Sequence, residues 1–337
     1  MKRWQLWLGL AISAFFLWRV LARLQLGDVW SSLQEADYLW LIPGIAVYFM
    51  GVWARAWRWH YLLRPIKPVP TRAMFPIVAI GYMGNNIYPA RAGELLRAYV
   101  LRRREGIAIS ASLATILVER AFDGVVMLAF VFLNLPELLK LTGDSGLAGS
   151  IRDLALIGAG IFLLAVAAFI LMAIFPEHAQ RLFGWFNSRF VPIRIRPTLG
   201  GLVGRFVTGF ASLRSPADVL MLLLTSAVIW LFETGKYWFV MQAFDFRVSF
   251  FALMLMNGIV NLATTIPSAP GYVGTFDAPG IAVLEAFGVS KAIATGYTLV
   301  LHAALWLPIT LLGAIYLAGE RITWRTVQAE MAKESPR

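Results

Sequence analysis

The sequence predicts an all-α fold: a polytopic integral membrane helical bundle, with about six full spans and two re-entrant helical hairpins in an inverted repeat. Three observations predict it. Hydrophobic residues fill 59% of the 337 positions and charged residues only 15%, where a soluble domain carries about 25% charge. Apolar stretches of roughly 20 residues recur, each long enough to cross a hydrocarbon core of about 30 Å. The 13 Trp and 23 Phe supply material for aromatic belts at the two membrane interfaces.

The first apolar segment, roughly 4–23, follows Lys2 and Arg3 and is closed by Arg19 and Arg23. No small-residue cleavage site follows it, so it is expected to be a retained span rather than a signal peptide. Further full spans are expected at roughly 38–60, 107–135, 152–175, 217–243 and 290–317. The stretch 24–37 carries Asp28, Glu35 and Asp37 and little positive charge. Arg55, Arg58, Arg64, Lys67 and Arg72 fall between 55 and 72, and Arg181, Arg189, Arg194, Arg196, Arg205 and Arg214 between 176 and 215. The positive-inside bias assigns both basic regions to the cytoplasm, and with them both termini of a multi-pass cell-membrane protein. The amphipathic, basic connector 176–215 lies on that side. The net charge of +11 is read the same way, as basic loops beside anionic lipid, and no nucleic-acid partner is expected.

Two apolar stretches, 73–90 and 249–274, end in Pro and Gly. Had either crossed alone, the basic loops after it would emerge on the wrong face. They are therefore expected to be re-entrant hairpins, 73–104 from the cytoplasm and 249–288 from outside. The single transmembrane domain, 1–337, then contains two halves of like plan and opposite orientation, about 38–135 and 217–317. "PARAG" at 89–93 and "PSAPG" at 267–271 share Pro-x-x-x-Gly, and asparagines precede both, at 85–86 and at 257 and 261. Paired, Gly/Pro-interrupted segments in two halves point to a transporter's binding site.

Asn85 and Asn86 are expected to satisfy backbone groups freed by the break, Pro89 to start a new helix, and Arg91 to bind a lipid phosphate near the hairpin tip. An ionisable side chain inside a bilayer costs about 2.5–3.5 kcal/mol on insertion scales and faces a cavity or a partner. Arg91, Glu94 and Arg97 meet that description on the first hairpin, as do Glu119, Arg120 and Asp123 in "LVERAFDGVV". Glu119 and Asp123 share a helix face and repel unless a cation lies between them, with Arg91 or Arg97 as the candidate. Arg120 points elsewhere. Glu233 and Lys236, three apart, form either an intrahelical pair or part of the path. On the second hairpin, Asn261, Pro267, Pro270, Gly271, Gly274 and Asp277 complete the set, the glycines serving turn geometry.

No HExxH, Walker A, GxSxG or paired-aspartate sugar-nucleotide motif occurs, so no catalytic residue and no cofactor are expected. The absence of cysteine excludes disulfides and thiolate metal sites. His60, His178 and His302 are too dispersed to suggest a metal site.

"NNIYPARAGELLRAYVLRRREGI", "ATILVERAFDG" and "TTIPSAPGYVGTFDA", in this order, resemble the lysylphosphatidylglycerol synthase transmembrane domain family, also called the UPF0104 or flippase-like family. The resemblance covers about residues 5–320. In full synthases of that family, such a membrane domain moves aminoacylated lipid between leaflets and a soluble C-terminal domain makes it. The resemblance implies a stand-alone membrane unit here, without the synthase domain and its tRNA-dependent activity. It further implies a lipid flippase or transporter acting on a phospholipid or a polyprenyl- or glycolipid-type substrate with an anionic or zwitterionic headgroup. The alternatives are a membrane enzyme modifying a lipid phosphate, with Glu94, Glu119 or Asp123 as base, or a scaffold for a lipid-biosynthetic enzyme partner.

Overall fold

The structure is a computed structural model. It describes residues 26–88, 92–134, 175–190, 215–264 and 269–320, together with helical positions 160, 164, 167 and 171. The span expected at 4–23, most of that at 152–175, and the connector beyond 190 lie outside the described residues. So do Pro89, Arg91 and Pro267.

Among the described residues every regular element is helical. In chain order these are α1 (Leu26–Gln34), α2 (Leu41–Leu63), α3 (Thr71–Ile87), α4 (Ala92–Glu105), α5 (Ile109–Leu133), α6 (Pro176–Phe190), α7 (Pro216–Gln242), α8 (Phe250–Ala263), α9 (Asp277–Ala286) and α10 (Lys291–Glu320). Short 3-10 turns at Tyr38–Trp40 and Pro270–Tyr272 precede α2 and α9.

The chain's own chemistry sets several of these boundaries. Asp37 accepts the Leu39 N–H at 3.1 Å and opens the turn that leads into α2. Tyr88, extended at φ −101° and ψ 141°, ends α3, as expected of a residue whose α conformation is blocked by a following proline. Ser215 and Ser249 cap α7 and α8 by accepting the N–H groups of Ala217 and Ala252, and Pro216 fills the first position of α7, where no hydrogen-bonding N–H is missed. In α4, Glu94 sits in the first turn and Arg102, Arg103 and Arg104 in the last, each complementing the helix dipole.

Among the described residues three helices are long and apolar enough to cross a membrane: Tyr38–Leu63, Ala217–Gln242 and Lys291–Glu320. Their outward faces fit lipid. On α7, Leu220, Leu224, Val228 and Leu231 are exposed at helical spacing, and on α10 so are Leu307, Leu311 and Ile315. Apolar stripes of that kind are rare on soluble monomers. At 25 residues α5 has the length to cross, but its Glu119, Arg120 and Asp123 keep it out of the purely apolar set.

The order long–short–short–long occurs twice, as α2 to α5 and as α7 to α10. At about 1.5 Å per residue, α3 and α4 are roughly 25 and 21 Å long and α8 and α9 roughly 21 and 15 Å, each short of a hydrocarbon core. The packing is reciprocal: α3 lies against α10 and α8 against α5, while α2 and α7 pack on each other. Within the first short pair the backbones nearly touch. A Cβ on Gly93 would stand 1.9 Å from the Gly81 carbonyl oxygen and 2.4 Å from the Asn85 nitrogen, so only glycine lets α3 and α4 approach this closely.

Among the described residues two large apolar cores result, beside a small cluster of Val126, Met127, Phe130, Trp230 and Met254. One gathers Trp59, Leu62, Met74, Ile77, Ile80 and Leu101 from α2 to α4, with Val118 and Phe122 of α5. The other gathers Tyr237, Leu253, Met256, Leu284, Tyr297 and Leu301 from α7 to α10. Leu305 packs against both. The polar groups collect around the boundary between these cores.

Candidate functional site

Helical periodicity brings the charged residues of four helices to one place. On α2, Tyr48, Val52, Arg55 and Trp59 form one buried stripe with Arg58 beside it. On α7 the stripe is Ser226, Trp230, Glu233 and Tyr237. On α5, Glu119 and Asp123 are one turn apart, and α4 contributes Arg97.

Arg58, 1% exposed, grips Asp123 through both terminal nitrogens, at 2.6 and 3.2 Å, and donates to Ser226 Oγ at 2.7 Å. Its Nε lies 3.7 Å from Glu119. Arg97 donates to the other oxygen of Glu119, and its guanidinium lies 4.3 Å from the ring centre of Trp59. Arg55 spans two carboxylates, Asp123 at 3.4 Å and Glu233 at 3.0 Å. Lys236 pairs with Glu233, and its ammonium stands 4.5 Å from the Tyr48 ring centre. The indole N–H of Trp230 reaches Asp123 at 3.2 Å. Arg120 lies 3.4 Å from Glu94 and 3.8 Å from Asp123.

Glu119 and Asp123 are thus separated by a cation, and that cation is Arg58, with Arg97 on the far side of Glu119. Two expectations change. Arg55 and Arg58 are not cytoplasmic loop residues. The helix runs on to Leu63, and both side chains turn inward because buried carboxylates await them. Nor does Arg120 point away from the cluster, since a long side chain reaches both Glu94 and Asp123. The Glu233–Lys236 pair exists, and it is one arm of a larger network because Arg55 shares Glu233.

In front of this network lies a cavity of about 160 Å³. Its wall includes Arg55, Arg97, Arg120 and Lys236 with two carboxylates, Glu94 and Glu233. Asn85, Asn86, Asn261 and Gly271 also line it, whereas Arg58, Glu119 and Asp123 stand behind the lining. The wall residues of α2, α7 and α10 lie in the interiors of the three long apolar helices, not at their ends.

Among the described residues, Asn86 fastens α3 to α10: its Nδ2 donates to Thr310 Oγ1 at 2.8 Å and to the Trp306 carbonyl at 3.4 Å. The Oδ1 of Asn85 has no hydrogen-bond partner among the described residues. Asn261 donates to the backbone and side-chain oxygens of Asn257. Pro270 opens a 3-10 turn in which Gly271 has φ 74°, with Gly274 at φ 82° shortly after, so the glycines serve turn geometry. Asp277, in the first turn of α9, accepts the Gly274 N–H at 2.8 Å and lies 2.8 Å from Nδ1 of His302.

Sequence reasoning missed Arg55, Arg58 and His302. Arg55 and Arg58 had a signal, their i,i+3 spacing within an apolar run, but a nearby basic loop masked it. His302 had none, as a lone histidine in a long apolar helix. Among the described residues no group of His, Asp and Glu is arranged to hold a metal ion.

Comparison with known proteins agrees with a membrane protein. The family described as "Lysylphosphatidylglycerol synthase TM region" matches residues 6–313. A "UPF0104 membrane protein" of Methanothermobacter thermautotrophicus is 28% identical over 311 residues, covering 86% of this chain and 88% of its own. A second from that organism is 23% identical, covering 81% and 83%. "Glycosyltransferase AglD" of Haloferax volcanii is 26% identical over 91% of this chain but only 53% of its own length. With nearly its whole length matched, the chain belongs to the lysylphosphatidylglycerol synthase transmembrane-region family.

Proposed function

We propose that this protein moves a lipid with an anionic or zwitterionic headgroup between the leaflets of the cell membrane. The observation that carries the reading is the charge imbalance of the cavity wall among the described residues: four cations, Arg55, Arg97, Arg120 and Lys236, against two carboxylates. Including the residues behind the wall, the network holds the cations Arg55, Arg58, Arg97, Arg120 and Lys236 against the anions Glu94, Glu119, Asp123 and Glu233. Among the described residues one positive charge is left over within helices suited to a hydrocarbon core. A phosphate balances it, and guanidinium forks match phosphate geometry.

The cavity is smaller than the roughly 300–1,000 Å³ of a drug-sized pocket. It suits a headgroup while the acyl chains stay in lipid. The short helices α3–α4 and α8–α9 serve as re-entrant hairpins entering from opposite faces, and the reciprocal packing of α3 on α10 and α8 on α5 supports an inverted repeat. The termini are cytoplasmic in this arrangement.

The name of the Haloferax relative, a glycosyltransferase, favours a second reading, an enzyme acting on a lipid-linked phosphate. Purified protein in liposomes containing fluorescent headgroup-labelled phosphatidylglycerol separates the two. Leaflet exchange of unchanged lipid is the expected result. A chemically altered lipid would favour the enzyme, and neither outcome would favour a scaffold for a biosynthetic partner.

A further inference from the structure

One ionisable pair in the cavity region has no part in the charge network. His302, in the interior of α10, lines the cavity, and Asp277 lies just behind it. Nδ1 of His302 stands 2.8 Å from Asp277 Oδ1, and Nε2 stands 2.7 Å from the carbonyl oxygen of Gly271. Both neighbours are acceptors. A neutral imidazole has a single N–H to donate, so beside an ionised Asp277 it would serve one contact and oppose a lone pair to oxygen at the other. Both contacts form together only when the pair holds one additional proton. That proton belongs to the pair, whether it is drawn on the ring or on the carboxyl. The second oxygen of Asp277 is already occupied by the Gly274 N–H, and the Phe276 ring lies 4.6 Å from the imidazole.

The proton secures a backbone turn. Gly271, Tyr272 and Gly274 all have positive φ, at 74°, 60° and 82°, and a bulky residue such as Tyr272 rarely adopts that conformation. The bond from His302 to Gly271 holds the turn against α10, and Gly271 and Tyr272 both line the cavity. Asp277 of α9 is the charged group touching His302. Other elements packed on α10 bring Glu233, Lys236 and Tyr237 of α7 to the same cavity, with Arg55 and Tyr48 of α2 and Tyr82 of α3. Glu233 is occupied by Arg55 and Lys236.

We propose that His302 and Asp277 form a proton-binding site in the cavity wall, whose loading fastens both the 270–276 turn and the start of α9 to α10 and whose release frees one of the two. Its chemistry stands by itself, and its purpose, coupling lipid movement to protons, rests on the lipid-moving reading. The proton is taken from cavity water and returned to it. On release the ring keeps one N–H, so either the turn loses its bond to α10 or α9 does.

The chain has three histidines, so His60→Gln with His178→Gln leaves His302 as the sole reporter. Nitrogen NMR of its ring in nanodiscs follows protonation without requiring transport. The expected result is exchange between two-proton and one-proton states within about pH 5–8, the range in which histidine changes charge, and a displaced transition in Asp277→Asn. Should the double change unsettle folding, the wild-type protein with its three ring signals serves, His302 being the one that responds to Asp277→Asn. A His302 ring and an Asp277 carboxyl, the latter followed by its carbon signal, that both keep one protonation state throughout overturn the site. In liposomes, leaflet exchange of labelled phosphatidylglycerol should change several-fold across that range in wild type and stay flat in His302→Gln. A titrating ring with no lipid movement at any pH refutes the lipid-moving reading and leaves the proton site standing. A titrating ring with movement at one rate at every pH refutes the coupling.

Discussion

Arg58→Met tests the centre of the charge network. Arg58 is 1% exposed and binds Asp123 at 2.6 and 3.2 Å, Ser226 at 2.7 Å, and approaches Glu119 at 3.7 Å. Methionine keeps most of the aliphatic stem and removes the charge. Removing one partner of a buried ion pair costs about 3–5 kcal/mol, because the other charge is stranded. Asp123 retains Arg55 at 3.4 Å, Arg120 at 3.8 Å and the Trp230 N–H at 3.2 Å, while Glu119 retains Arg97. Those contacts place the expected loss at the lower end, about 3 kcal/mol. Adding Asp123→Leu removes the stranded charge, so the double variant should lose less than the sum of the two singles by about 0.5–3 kcal/mol. Reversible unfolding in mixed micelles, run on all four proteins, measures this. A loss below about 1 kcal/mol for Arg58→Met, with additive effects in the double variant, would mean that Arg58 is solvated like a surface cation and refute the buried network.

Other variants separate function from stability. Arg120 lines the cavity with a side chain 34% exposed, so Arg120→Gln should sharply reduce leaflet exchange while the melting temperature stays near wild type. Arg120→Lys should restore only part of it, since a point charge lacks the planar fork. Gly93→Ala would drive a methyl into the Gly81 carbonyl, and thermal unfolding should register a loss of about 1–3 kcal/mol or more. Lys67 and Glu105 pair at 2.8 Å near the surface, so Glu105→Gln should change stability by no more than about 1 kcal/mol in the same assay. The chain has no cysteine, so single cysteines report topology directly. Those placed at positions 145 and 246 should react with an impermeant thiol reagent in whole cells, and those at 68 and 200 should not. Labelling at 68 from outside would reverse the proposed orientation.

Much of the site was legible because charge in an apolar run is itself a signal. Glu94, Arg97, Glu119, Arg120, Asp123, Glu233 and Lys236 all belong to the observed network, and Asn85, Asn86, Asn261 and Gly271 line its cavity. The same signal misled at Arg55 and Arg58. They stand close to Arg64, Lys67 and Arg72, and a count of basic residues does not distinguish a loop cation from one buried a turn or two earlier.

The family, the helical class, the membrane setting and the broken segments follow from composition and local pattern. Hydropathy, proline and glycine act through the residues beside them, and their effects are written in consecutive positions. Which carboxylate each cation meets was decided only by the tertiary structure. Arg58 and Asp123 are separated by 65 residues, Arg55 and Glu233 by 178, and Asn86 and Thr310 by 224. Asp277 and His302, 25 residues apart, meet only because α9 folds back onto α10. Buried charges take the partner that packing brings within about 3–4 Å, and that choice depends on how α2, α5, α7 and α10 cross, which no local stretch of sequence encodes.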